Sequence, residues 1–375
     1  MRSLTLGLEA NIPRGAVLKL SRGSAGGQLF PRLEVLCWYI DETVIPTSCF
    51  HLFLPPQLKS VDLSYSGSGI SRDGVAPLVH IISSLTSSLE YLTFYHGQSR
   101  EMILEDTLSS FVCQRGSSLR SFDSDVLLSE AAIHHLMQLP NLRFWVGYHE
   151  PPRTLPPITF PSLECLHLDQ TSLPWLHLLA SHGKEIVRKG STPAASRTNI
   201  RETLDSLECS EVTTIDSAFV HSVINFRNLV SLRAAGDCTE PEVCISRFTD
   251  GDVEELAAAL PRLEALLLGP PCYSNSCNTT VASLMSISVN CLELKIHFNT
   301  RDIIRDLRFL LQGNSGRDRP KCKVWNLMVG DVPLEVQGVD VETVAMGFRV
   351  ILPHLKHLGG WENWLPVRAA LSALE

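Results

Sequence analysis

The sequence predicts an α/β solenoid, a curved parallel sheet on a concave face with helices on the convex face. The first observation behind this is the phrase Pro-x-Leu-x-x-Leu-x-Leu. It appears as Pro161-Ser-Leu163-Glu-Cys-Leu166-His-Leu168 and as Pro261-Arg-Leu263-Glu-Ala-Leu266-Leu-Leu268. Close variants are Pro31-Arg-Leu33-Glu-Val-Leu36-Cys-Trp38, Pro56-Gln-Leu58-Lys-Ser-Val61-Asp-Leu63 and Pro140-Asn-Leu142-Arg-Phe-Trp145. The second observation is that segments of helical period follow these phrases. A short strand returning every ~21–35 residues, alternating with helices, is the pattern of a leucine-rich repeat. The expected architecture is therefore one leucine-rich-repeat solenoid over residues 1–375.

The elements follow in order. Met1-Arg-Ser-Leu-Thr-Leu6 already reads as a repeat strand. After Leu63 a helix is expected over Asp73-Gly-Val-Ala-Pro-Leu-Val-His-Ile-Ile-Ser-Ser-Leu85. Leu89-Glu-Tyr-Leu92-Thr-Phe94 is a further strand, and Leu119-Arg-Ser-Phe122 a shorter one. A helix follows over Ser129–Leu139. Another is expected from Thr249, a good N-cap, with acidic residues in the first turn where the helix dipole favours them. Leu229-Val-Ser-Leu232, Leu292-Glu-Leu294-Lys-Ile296, Val324-Trp-Asn-Leu327 and Leu355-Lys-His-Leu358 supply later strands, the second of them one residue out of pattern. In each, the spaced leucines point one way into a stacked core, and the residues between them point to the other side.

The regularity lapses over residues 184–203. Lys184, Arg188, Lys189, Arg197 and Arg201 surround the run Gly190-Ser-Thr-Pro-Ala-Ala-Ser196. This reads as a flexible basic insertion within the array. Residues 272–277 and 314–320 read as loops.

Bulk composition excludes some classes of function. Hydrophobic residues are 44% of the 375 and charged residues 19%, which suits a packed core rather than disorder. The net charge of −8 argues against holding nucleic acid by bulk positive charge. No run approaches ~18 apolar residues, so no membrane association is expected. The 11 cysteines include no Cys-x-x-Cys pair, and Met1–Ala10 has no signal-peptide core. Reduced thiols in the cytoplasm or nucleus are expected.

Motifs for catalysis are missing. There is no phosphate-binding Gly-x-x-x-x-Gly-Lys-Ser/Thr loop, no Gly-x-Ser-x-Gly elbow and no His-Glu-x-x-His helix. His134-His135 point to different sides of a helix. His354 and His357 lack a Cys or carboxylate at ligand spacing. The expectation is no enzyme, no cofactor and no metal.

Function is instead sought among the residues between the leucines. The outward set is Cys37 and Tyr39, Asp62 and Ser64, Thr93 and Tyr95, Phe144, Val146 and Tyr148. It continues with His167 and Asp169, Arg233, Leu267, Lys295 and His297. Neighbouring parallel strands lie about 4.8 Å apart, so these residues form rows on one surface. Tyrosines mixed with acidic and small polar groups suit a protein partner. The candidate binding residues are Tyr39, Asp62, Thr93, Tyr95, Phe144, Tyr148, His167, Asp169, Lys295 and His297.

The chain resembles fungal F-box proteins with leucine-rich repeats. The resemblance lies in Gln28-Leu-Phe-Pro-Arg-Leu-Glu-Val-Leu36, in Phe53-Leu-Pro-Pro-Gln-Leu-Lys-Ser-Val61-Asp-Leu63, and in Phe248-Thr-Asp-Gly-Asp-Val-Glu-Glu-Leu256 with the Pro261-Arg-Leu263 that follows. It is a likeness of repeat grammar and covers nearly the whole chain. It implies a substrate-recognition array of a cullin–RING ubiquitin ligase receptor. No F-box-like Leu-Pro helical stretch precedes the first strand, so a ligase adaptor is implied as a partner only if an F-box stands upstream. The alternative expectation is a repeat scaffold, or an inhibitor of another enzyme, unrelated to ubiquitin.

Overall fold

A computed structural model describes residues 2–6, 19, 28–40, 52–65, 81–82, 88–96, 102–147, 151–152, 160–168, 173–188, 200–210, 214–235, 245–246, 249–268, 279–288, 293–296, 307, 323–329, 341–359 and 364–374. The chain divides into two compact units. The first is Met1–Leu166 with Lys189–Thr203, and the second is His167–Arg188 with Leu204–Glu375.

The first unit carries β1 (Ser3–Leu6), β2 (Val35–Ile40), β3 (Ser60–Tyr65), β4 (Tyr91–Tyr95), β5 (Ser121–Ser124) and β6 (Phe144–Gly147). Helix α1 (Met102–Arg115) and a 3₁₀ turn (Gly116–Ser118) precede β5. Helix α2 (Glu130–Gln138) precedes β6. The six strands lie side by side in chain order and every pairing is parallel. The boundary between the units falls inside β7 (Cys165–Leu168), which is followed by α3 (Leu173–Arg188) and by the short α4 (Ile200–Thr203).

The second unit continues with β8 (Ser206–Ser210), β9 (Thr214–Ile215), α5 (Ser217–Val223), β10 (Ser231–Ala235) and β11 (Ile245–Ser246). Then come α6 (Asp250–Ala259), β12 (Ala265–Leu268), α7 (Val281–Ile287), β13 (Glu293–Ile296), β14 (Asn326–Val329), α8 (Val341–Ile351), β15 (His357–Gly359) and α9 (Leu365–Ala373). Its sheet runs β8-β10-β12-β13-β14-β15, again all parallel. The two-residue strands β9 and β11 pair with each other apart from it. Both units are thus α/β with parallel sheets.

The recurring phrase has a physical explanation in three parts. Its Pro is a turn residue rather than a strand residue. The amides of Leu33, Leu58, Leu263 and Leu355 donate to the carbonyls of Phe30, Pro55, Leu260 and Leu352 at 3.0–3.1 Å, each closing a four-residue turn. Pro31, Pro56, Pro261 and Pro353 occupy the second position of those turns. There a fixed φ near −65° is already correct and a missing N–H costs nothing. Phe160, at the head of the corresponding turn before Pro161, has φ of 52°. This left-handed conformation is costly for a non-glycine residue. It is held by burial against Trp145 (ring centroids 5.0 Å apart) and by an N–H donated to the Met137 carbonyl at 2.6 Å.

The first Leu of the phrase is core. Leu33, Leu58, Leu89, Leu119, Leu142, Leu163, Leu204, Leu229, Leu263 and Leu355 are all buried. The second Leu follows suit: Leu36, Val61, Leu92, Phe122 and Trp145 are in register in the first unit, as are Leu207, Leu232 and Leu266, and Leu327 with Leu358, in the second, and these and Leu166 are buried. Full burial of each is worth about 1.5–3 kcal/mol.

The residue between the two leucines links each strand to the one before. The Arg2 carbonyl accepts from the amides of both Glu34 and Val35, Glu34 from Lys59 and Ser60, and Lys59 from Glu90 and Tyr91. Glu90 then accepts from Arg120 and Ser121, and Arg120 from Arg143 and Phe144, at 2.7–3.1 Å. In the second unit Asp205, Val230 and Trp325 play the same part. The side chains at these positions in the first unit form ion pairs. Glu34 lies 3.6 Å from Arg2 and 4.0 Å from Lys59, Arg120 3.1 Å from Glu90, and Arg143 3.3 Å from Glu164. Such exposed pairs add little energy each but disfavour a slipped register.

Two of the three helices expected from the sequence begin where it places them. Ser129 caps α2, accepting from the Ala132 amide at 3.3 Å. Thr249 caps α6 in a capping box completed by Asp252, whose carboxylate accepts from the Thr249 amide at 2.8 Å. Of the helix expected over 73–85, Ile81 and Ile82 are helical and buried, and residues 73–80 lie outside the described residues. Both ends of the 184–203 stretch are helical. Residues 184–188 continue α3, and α4 starts at Ile200, whose side chain is buried and gives that turn an anchor. Residues 189–199 lie outside the described residues, as do the expected loops at 272–277 and 314–320. Leu294 of β13 stands opposite Leu266, so the strand at Glu293–Ile296 is in register.

Candidate protein-binding face

Along β1 to β5 burial alternates with a period of two, as a sheet covered on one side requires. The side opposite the core carries rows set by the register. One row is Ser3, Val35, Ser60, Tyr91, Ser121 and Phe144. The next is Thr5, Cys37, Asp62, Thr93, Asp123 and Val146. The third is Tyr39, Ser64 and Tyr95.

Tyr39 and Tyr91 are each 44% exposed, much for residues of their size. Tyr91 stands in the first row on β4 and Tyr39 in the third row on β2. Asp62, on β3 between them, lies diagonally adjacent to both. Tyr95 is half-buried, and its hydroxyl donates to Asp123 Oδ2 at 2.6 Å. The Ser64 hydroxyl reaches Asp62 Oδ1 at 3.5 Å. Burial pushes the Asp62 carboxyl above the ordinary aspartate range, and the Ser64 hydroxyl only partly offsets this. Burial, and then the neighbouring Asp62 charge, raise the Cys37 thiol, while the Thr5 side chain pulls the other way. Cys37 is therefore held as a thiol, unsuited to act as a nucleophile.

These strand positions carry two carboxylates and, among the described residues, no Lys, Arg or His. The nearest cations, Arg2, Lys59, Arg120 and Arg143, stand at the strand entrances against Glu34, Glu90 and Glu164.

The expected binding residues divide as follows. Tyr39, Asp62, Thr93, Tyr95 and Phe144 share the exposed side of the first unit, all but Tyr39 half-buried. Val146 corrects the expectation of an outward residue. Trp145, Val146 and Gly147 of β6 are all buried, so that row ends without reaching solvent. His167 lies in the second unit, half-buried, with Nε2 3.0 Å from Ser210 Oγ. That bond orients the imidazole. Lys295 is on β13, in register with Leu267 and Met328. Tyr148, Asp169 and His297 lie outside the described residues.

Among the residues of this face that the sequence reading passes over are Tyr91 and Asp123. Each occupies a spacer position in a strand phrase, Tyr91 in Leu89-Glu-Tyr-Leu92 and Asp123 just after Phe122. Extending the spacer count to every unit finds both.

Elsewhere in the first unit, α1 and Ile82 bound a cavity of about 290 Å³, with Asp106, Gln114 and Arg115 in its lining. Among the described residues no three His, Cys, Asp or Glu side chains converge as a metal site would need, and no helix is long and apolar enough to cross a membrane.

Compared with known proteins, the chain matches no protein-family model and no curated protein sequence.

Proposed function

We propose that the chain is a leucine-rich-repeat solenoid whose first-unit strand face binds another protein, and that it performs no reaction of its own. On this reading it serves, like the fungal F-box proteins it resembles, as the substrate-recognition region of a ubiquitin ligase receptor. The observation that carries the reading is the exposure of Tyr39 and Tyr91 on a strand face of mostly small and polar residues. Tyrosine gives large contact area for little conformational entropy, and both rings stand on strands whose opposite side is locked in the core. The repeated Pro-turn, buried leucine pair and double-amide link support the repeat assignment.

Site-specific photocrosslinking tests it. A photoreactive phenylalanine at Tyr39 is expected to capture a protein whose ubiquitination falls when the chain is depleted. The same group at Glu130, exposed on α2, is expected not to capture it. Identical capture from both positions would overturn the assignment to this face. A captured protein whose ubiquitination does not change would favour the scaffold or inhibitor reading instead.

A further inference from the structure

We propose that this face selects a cationic partner, an Arg- or Lys-bearing polypeptide segment whose charged group sits over Asp62 between Tyr39 and Tyr91. The proposal rests on the reading of the face as a protein-binding surface, and it names the chemistry that the partner must present.

The geometry comes from the register. Asp62 stands beside Cys37 and Thr93, while Tyr39 and Tyr91 are displaced by two residues in opposite directions on the flanking strands. With strands about 4.8 Å apart and a rise of about 3.3 Å per residue, each tyrosine Cα is about 8 Å from that of Asp62. The carboxylate is thus the midpoint of a diagonal with a phenol ring at either end. A guanidinium placed there can bond the carboxylate and still lie within about 6 Å of a ring, the range of a cation–π contact. Arginine suits the site better than lysine because its flat fork pairs with a carboxylate and stacks on a ring at once.

Electrostatics points the same way. The groups able to carry charge on this face are Asp62, Asp123, the Cys37 thiol and the phenols of Tyr39, Tyr91 and Tyr95, none of which is cationic. Among the described residues no Lys, Arg or His forms an ion pair with Asp62, whereas the cations at the strand entrances face glutamates. Burial already disfavours the bare Asp62 anion, so a cation brought by a partner relieves a cost that the free protein carries. A phosphate backbone or an anionic lipid surface would be repelled. A single metal ion is a poor occupant too, because Asp62 and Asp123 are two strand spacings, about 10 Å, apart.

The test is selection of a displayed library of random twelve-residue peptides on the full chain at low salt. The expected result is a set of peptides with a recurring Arg or Lys. A synthetic peptide from that set should lose about tenfold or more in affinity on Asp62→Asn, and equally when its own Arg is changed to Gln. The two changes together should cost little more than either alone. Peptides that lack basic residues, and that bind less well after Tyr39→Ala or Tyr91→Ala but not after Asp62→Asn, would overturn the cationic assignment and leave the protein-binding face intact. Peptides indifferent to all three substitutions, or no enrichment over a blank surface, would overturn both. Retention of the cooperative melt by Asp62→Asn certifies that a loss of affinity is not a loss of fold.

Discussion

The strand faces of the two units differ in how they treat charge, although their cores are built alike. In the first, Asp62 and Asp123 stand among Thr93, Ser64 and three tyrosines, with no cation at any described strand position of that face. In the second, Glu208 has Arg233 directly across from it in the register, and Arg233 in turn faces Leu267. The register thus sets a cation directly across from the carboxylate in the second unit and none across from Asp62 in the first. A half-buried carboxylate flanked by exposed aromatic rings retains unmet interaction capacity. The two faces thus share the core pattern behind them and differ in which charged residues the register brings together.

If the cores are equivalent, they should respond alike to damage. Leu166→Ala in the first unit and Leu266→Ala in the second each remove a buried side chain from the same place in the phrase. Each is expected to cost about 2–5 kcal/mol, read as a lowered melting temperature by calorimetry. A large loss at one and none at the other would break the equivalence.

A smaller effect separates the helix caps. Ser129 caps α2 with its hydroxyl, whereas Thr249 shares its task with Asp252. Burial pushes the Asp252 carboxyl up. The Thr249 hydroxyl and amide, Ser217 and the His221 charge outweigh it, leaving a net value below the ordinary range. A depressed folded pKa contributes stability that is present above the unfolded value and is lost as pH falls through the folded one. Asp252→Asn is thus expected to cost about 1 kcal/mol at pH 7 and progressively less toward about pH 3. Ser129→Ala should cost a similar amount at both pH values. Denaturant titrations of the two variants across that range measure this directly.

The smallest effect bears on the faces themselves. The folded pKa of Asp62 is raised, so its ionised form opposes folding above both values and has no effect once both states are protonated. Asp62→Asn is expected to stabilise the protein slightly at neutral pH, by less than about 1 kcal/mol, with the gain vanishing in acid. Glu208→Gln should bring no such gain. If both substitutions destabilise, Asp62 is a structural residue and the contrast between the faces fails.

Much of this was legible in the sequence because it depends on neighbours along the chain. The Pro turn, the leucine pair and the Thr249 cap each involve residues within a few positions of one another. The strand at Ser206–Ser210 escaped although Leu204-Asp-Ser-Leu207 has the leucine spacing of the other phrases, as it follows directly on the basic stretch read as an insertion. The ion pairs at the strand entrances escaped for a different reason. Glu34, Glu90 and Arg120 are unremarkable spacers until the register sets each beside its partner in the next unit. The candidate site has the same character. That Asp62 lies between Tyr39 and Tyr91 is a fact about three strands, and no single strand contains it.

The carbonyl at each strand entrance, accepting two amides from the unit that follows, has a consequence for how such a protein changes over time. Within the first unit, β2 to β6 each take this connection from the strand before them. On the solenoid reading proposed above, a duplicated or deleted repeat leaves its neighbours a compatible surface to dock on, since coupling of this kind is confined to adjacent repeats. Chain length can therefore drift by whole units while the buried leucines stay in line. The same locality means that amide exchange should be slow in strands paired on both sides, such as β3 and β4.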